Sequence, residues 1–228
     1  MMAKEMTVNS TENQIKAGLK SLYKTIERVF YLSLKKKIHH TRFHKANGMN
    51  APCEGEVIWV DPIAITGHIQ VADWRAMKRR TGFDGGALLD GEWDIARVEK
   101  VKFTEMDPFI SCSAHWLEGR PWHETSLFNF YQTKLEKGEH CRFPSIVALK
   151  ERYARLDEIF NTVVTQGKMS TKLEDLVKIS LTRDGSLVWG PDGRHRVCIA
   201  ICAGIERMPA MTGFVHTDAV DVFQSFRV

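Results

Sequence analysis

The stretch Asp184-Gly185-Ser186-Leu187-Val188-Trp189-Gly190-Pro191-Asp192-Gly193-Arg194-His195-Arg196 carries the densest chemistry of the chain. It ends in two arginines and a histidine where the apolar run from Val197 to Ala203 predicts a helix. The first amides of a helix have no partner within it and carry partial positive charge, so a helix start attracts anions. Gly193 allows a tight turn and a close ligand approach. A guanidinium can grip phosphate in a bidentate fork. Asp192, Gly193, Arg194, His195 and Arg196 therefore form a candidate phosphate site. The alternative is a surface ion-pair cluster of these cations with Asp192 and Asp184.

A second cluster comprises Asp90-Gly91-Glu92-Trp93-Asp94, His115-Trp116, Gly119-Arg120 and Trp122-His123-Glu124-Thr125. Carboxylates suit Mg²⁺ or a general base, so Glu92 and Asp94 are candidate metal ligands and catalytic groups. His115 joins them as a third catalytic candidate, with Arg120 as a possible substrate contact. Simpler roles compete: core packing for Trp93, Trp116 and Trp122, and helix capping before Ile95 for Glu92 and Asp94.

These residues need elements to hold them. Strands are predicted over 56–60, 176–181, 187–189 and 211–216, with Arg183-Asp184-Gly185-Ser186 as a hairpin turn. Helices are predicted over about 11–37, 95–103, 108–118, 124–137 and 144–166, the last stopped by Gly167. Between 67 and 142 the pattern is irregular, with Gly82, Gly85, Gly86 and Gly91 followed by aromatics and histidines.

At 228 residues, 43% hydrophobic and 26% charged, the composition is that of an ordinary globular chain and excludes wholesale disorder or a fibrous repeat. Five scattered cysteines without a CxxC pair exclude a zinc ribbon and a disulfide framework. No apolar run reaches membrane-spanning length and the N-terminus lacks a secretory layout, so a cytoplasmic protein with reduced thiols is expected. The formal charge of +4 is uneven: residues 1–48 hold ten Lys/Arg against three Glu, and the other 180 hold 22 against 25 Asp/Glu. The basic segment, chiefly residues 15–45, could contact nucleic acid or form the outer face of a docked amphipathic helix.

The span 184–200, followed by Gly204 and Met208-Pro209-Ala210, resembles the ParB/sulfiredoxin superfamily in its order of strand, Gly-x-His-Arg box, helix, glycine and final strand. Val57–Ile65 and Arg152–Gly167 resemble its opening strand and preceding helix. Residues 90–125 are similar to a segment of uncharacterised bacterial, archaeal and phage proteins that carry the same box. The resemblance implies an α+β fold: a small mixed sheet with packed helices, a basic N-terminal helical extension over 1–48, and a domain over 49–228 with an insertion at about 67–142 that is a candidate lid. It implies nucleotide binding, with ATP or CTP and Mg²⁺ as cofactors and the box on the phosphates. A phosphotransferase or hydrolase acting on a small polar acceptor is the expected activity. A ParB-like nuclease, or a binding module for nucleic acid or a protein partner, is the alternative. Arg194 stands where sulfiredoxins carry their reactive cysteine, and no helix-turn-helix pattern follows the final strand, so sulfinic acid reduction and DNA partition are disfavoured.

Overall fold

The computed structural model describes residues 48 and 50–227. The helix expected over 11–37 and the basic segment 15–45 lie outside the described residues. The rest forms one compact unit of mixed α+β type.

Seven strands build a single mixed sheet: β1 (Val57–Val60), β2 (Ile65–Ile69), β3 (Ala87–Leu89), β4 (Val98–Lys100), β5 (Val177–Leu181), β6 (Leu187–Trp189) and β7 (Met208–His216). The spatial order is β1-β7-β5-β6-β2-β4, and β3 also pairs with β7. β5 and β6 form the expected antiparallel hairpin, with Leu181 opposite Leu187. β7 returns parallel to β5 on one edge and takes β1 and then β3 along the other. Side chains alternate across a strand, and β6 shows this directly. Leu187 and Trp189 enter the core under one face, with Ile58, Ile179 and Val197, while Val188 enters the other with Ile69, Trp74 and Phe214.

Helices cover both faces: α1 (Val71–Thr81), α2 (Trp93–Ala96), α3 (Asp107–Trp116), α4 (Ser126–Glu136), α5 (Ile146–Gln166), α6 (Arg194–Cys202) and α7 (Val220–Phe223). α1 lays Trp74 and Met77 on the Val188 side. α3 and α6 contribute Cys112, Val197, Cys198 and Ala200 to the opposite core. α5 follows its sequence signals closely. Ser145 accepts a hydrogen bond from the Ala148 amide, and Gly167 ends the helix at φ +63° by donating to the Val163 carbonyl. Its buried Leu149, Tyr153 and Leu156 pack with Phe128 and Ile199.

Two expectations are corrected. The helix expected over 95–103 is instead the single turn α2 followed by strand β4, whose backbone pairs with Gly67–Ile69 of β2. Residues 67–142 are not a separate lid. They supply most of β2, all of β3 and β4, and the helix that covers one sheet face. Among the described residues, no helix is long and apolar enough to cross a membrane.

Candidate functional site

Trp189 ends β6, and its indole donates to the Asp192 carbonyl at 2.7 Å, folding Gly190–Asp192 back over the strand end. A side chain at Gly190 would meet the Trp74 ring at 3.0 Å and the Lys178 carbonyl at 3.1 Å. Gly193, at φ +87°, would press a Cβ to 2.9 Å from Val177. Only glycine suits that close, left-handed step. As the N-cap of α6, Gly193 brings no side chain to the helix start; its carbonyl accepts from the Arg196 amide at 2.8 Å, and the amides of Arg194 and His195 precede that first helical bond.

The box opens into a cleft of about 290 Å³ that is also lined by Arg142, Arg152 and Pro191. Four guanidinium groups therefore share one small volume. Arg196 pairs with Asp175 at 2.5 Å. Arg194 donates to the Tyr131 hydroxyl at 2.7 Å, a neutral partner. Among the described residues, neither Arg142 nor Arg152 has a carboxylate within ion-pair reach. Burial, then the charges of Arg142, Arg155 and Arg196, pulls Arg152 below the ordinary guanidinium range. His195 lies deeper, 7% exposed, with its Nε2 buried and, among the described residues, without a hydrogen-bond partner. Burial first, then Arg194, Arg152 and Arg142, lowers its pKa to about 3, so the ring is neutral at physiological pH.

The ion-pair alternative for the box does not describe this arrangement. Asp184 accepts from the Thr182 hydroxyl and the Ser186 amide within its own turn. Asp192 is exposed and forms no ion pair with Arg194 or Arg196. The carboxylate that does engage the box, Asp175, lies in the 3₁₀ turn Leu173–Asp175.

Glu92 and Asp94 do not belong to this cleft. Asp94 is buried, and its Oδ2 accepts from the Arg183 amide at 3.0 Å and the Arg183 Nε at 2.8 Å. Arg183 Nη2 reaches Asp94 Oδ1 at 2.8 Å and the Gly91 carbonyl at 3.0 Å, and Nη1 reaches Glu92 at 3.3 Å. Hydrogen bonding from Arg183 holds the Asp94 pKa down at about 2. Both acids are thus committed to a guanidinium, and Glu92 makes no capping hydrogen bond either. They do not fit a Mg²⁺ site. Among the described residues, no group of three or more His, Cys, Asp and Glu side chains could hold a metal ion. Asp94 and Arg183 instead border a separate cleft of about 590 Å³ beside β4 and the β5–β6 turn.

This assignment predicts an asymmetry. Arg183→Ala strands the buried Asp94 carboxylate and should lower the thermal midpoint by several degrees. Asp94→Asn should cost less, because Arg183 is partly exposed and can turn to solvent. Equal midpoints for the two variants would show that the pair does not behave as a buried carboxylate held by a surface arginine.

His115 is also removed from the proposed chemistry. Its ring stacks on Trp122 with centroids 3.9 Å apart. Nδ1 lies 2.6 Å from the Arg120 carbonyl and Nε2 3.2 Å from Asp157. Asp157 also accepts from the indoles of Trp116 at 2.9 Å and Trp122 at 3.0 Å. Both ring nitrogens face protein acceptors, so neither is free to serve a substrate. Arg120 pairs with Glu118.

Sequence reasoning did not reach Arg142, Arg152, Tyr131 or Asp175, since nothing in their local spacing points to the box. It also did not reach His68, which stacks on Trp189 at 4.4 Å and lies 3.7 Å from Glu99. No protein-family model, curated protein or solved structure matches the chain.

Proposed function

We propose that this protein binds a nucleotide, ATP or CTP, through its phosphates at the start of α6, and that it is a phosphotransferase or hydrolase of ParB/sulfiredoxin-like type. The observation that carries the reading is the gathering of four arginines around a glycine-capped helix start with, among the described residues, one ion-paired carboxylate. Like charges held together in this way repel one another until an anion enters. The order of hairpin, box, helix, Gly204 and returning β7 supports the ParB/sulfiredoxin-like reading. Phosphoryl transfer depends mainly on positioning and on neutralising charge at the phosphoryl oxygens, which guanidinium groups supply. With Glu92 and Asp94 excluded, no step is assigned to a protein-held metal.

Thermal unfolding with ATP, CTP, GTP, ADP and orthophosphate, each with and without Mg²⁺, tests the reading. A ligand at 100 times its Kd adds about 2.7 kcal/mol, a midpoint rise of roughly 5–10 °C for a chain of this size. That rise is expected for at least one nucleoside triphosphate and should be lost in Arg196→Ala. No rise with any nucleotide at millimolar concentration would reject nucleotide binding here.

A further inference from the structure

Resting on the phosphate-binding reading of the same cleft, we infer that the site recognises a condensed phosphate chain and not the base attached to it, with Arg142 and Arg152 forming the wall that faces the box.

Three observations lead there. The first is charge. Among the described residues, Arg142, Arg152 and Arg194 line the cleft without a carboxylate partner, and the ion pair in the cluster belongs to Arg196. Asp192 also lines the cleft, exposed and paired with none of them, so three guanidinium groups and a helix N-terminus leave a net charge of about +2.5, more than the roughly −1.5 to −2 of a single phosphate group. A di- or triphosphate brings enough, and its successive phosphoryl groups can reach both the helix start and the opposite arginines.

The second is the orphaned Nε2 of His195, a residue that is 7% exposed and lines the cleft. An unpaired buried polar atom is costly. A neutral imidazole can donate from Nε2 to a phosphate oxygen, which an ion pair with a protein carboxylate would not require. The first turn of the nine-residue helix thus holds a buried, unpaired polar atom beside the cleft that the arginines line.

The third is what the walls lack. Sites for bases are built from apolar and aromatic surfaces with a few convergent polar groups. Among the described residues, Pro191 is the one apolar side chain on this lining, and no Phe, Tyr or Trp borders it. The His195 ring is itself set edge-on to Tyr153, with centroids 6.3 Å apart. A bound nucleoside would project out of the cleft.

Titration calorimetry on the full chain, with divalent cations chelated, separates the outcomes. Inorganic tripolyphosphate, ATP, CTP and GTP should bind within about fivefold of one another, orthophosphate should bind at least ~30-fold more weakly, and adenosine should not bind. Loss of one charge-assisted contact corresponds to roughly 10–100-fold in affinity. Arg152→Ala should therefore weaken tripolyphosphate by about that factor and leave the ratio of ATP to CTP unchanged. Arg152→Lys, which keeps the charge and the packing stem, should recover part of the loss. Binding of ATP with no binding of tripolyphosphate would overturn the inference and leave the nucleotide reading standing. Orthophosphate binding as tightly as tripolyphosphate would also overturn it, as a single-phosphate site. Unchanged tripolyphosphate binding in the double variant R142A/R152A would place the anion elsewhere on the chain and overturn it too. Failure of every phosphate compound, ATP included, would remove both readings together.

Discussion

Gly86→Ala is expected to leave no stably folded protein, whereas Gly82→Ala should fold and lose only about 1–2 kcal/mol. Both glycines have left-handed backbone, at φ +62° and +78°. Their surroundings differ. A Cβ on Gly82 meets nothing within 4 Å, so its cost is the intrinsic penalty of that conformation alone. A Cβ on Gly86 would lie 2.1 Å from the Cys53 carbonyl oxygen and 2.4 Å from the Glu54 nitrogen. The chain cannot simply retreat, because the Gly86 amide is held by the carbonyls of Thr212 at 2.8 Å and Gly213 at 2.6 Å. This is where β1 gives way to β3 along one edge of β7, with the segment before β1 pressed against the loop that leads into β3. Relief requires breaking that edge of the sheet, a loss above about 4 kcal/mol against a typical total of 5–15 kcal/mol. Circular dichroism and urea unfolding of the two variants check it. A Gly86→Ala protein that melts within a few degrees of wild type would contradict the backbone packing described here.

The same loop shows what could be read in the sequence and what could not. The β5–β6 hairpin, α5 and β7 were legible because each has a strong local cause: alternation through Leu187–Trp189, a Ser145 cap and Gly167 stop, and an apolar run after proline. α1 was not legible. Only Trp74 and Met77 of its eleven residues are buried, and its last turn is Lys78-Arg79-Arg80, too little apolar signal for a helical period. β3 and β4 are three residues each and exist because longer strands offer them an edge.

The candidate site divides along the same line. The box was legible because glycine, charge and helix start fall together within a few residues. Arg152 reaches it only through the packing of α5 on α6, and Arg142 only from the segment that leads into α5. The acids were misread for the mirror-image reason. Glu92 and Asp94 look like ligands by spacing, but Arg183, about ninety residues later in the chain, is folded against them. His115 met the same fate through Asp157, 42 positions on, which is invisible to any motif.

The second large effect concerns acid. In the folded chain the His195 pKa lies at about 3, against 6.5 for a free imidazole. Between those values the unfolded chain binds a proton that the folded chain refuses. Stability is therefore complete above pH 6.5 and falls as pH drops through the window, by up to about 1.4 kcal/mol per pH unit for this one group. His68, also lowered by burial, acts in the same direction, so the informative quantity is the difference between wild type and H195Q. Asp94 and Asp84, both held down to about 2, lose their contribution only below pH 3.8 and leave the range from pH 6 to 4 to the histidines. Urea unfolding across that range should show a shallower acid loss in H195Q, and parallel curves would mean that His195 is not the buried neutral ring described here. Ligand binding then has a visible consequence at the same atom. A phosphate chain in the cleft offsets the repulsion from Arg194, Arg152 and Arg142 but not the burial, which is the larger cause. The His195 ring, followed by NMR, should accordingly titrate higher with saturating tripolyphosphate than without it, while still below 6.5. A titration that does not move when tripolyphosphate binds would place the anion away from Nε2, and the unpaired nitrogen would then be a cost the fold bears for some other reason.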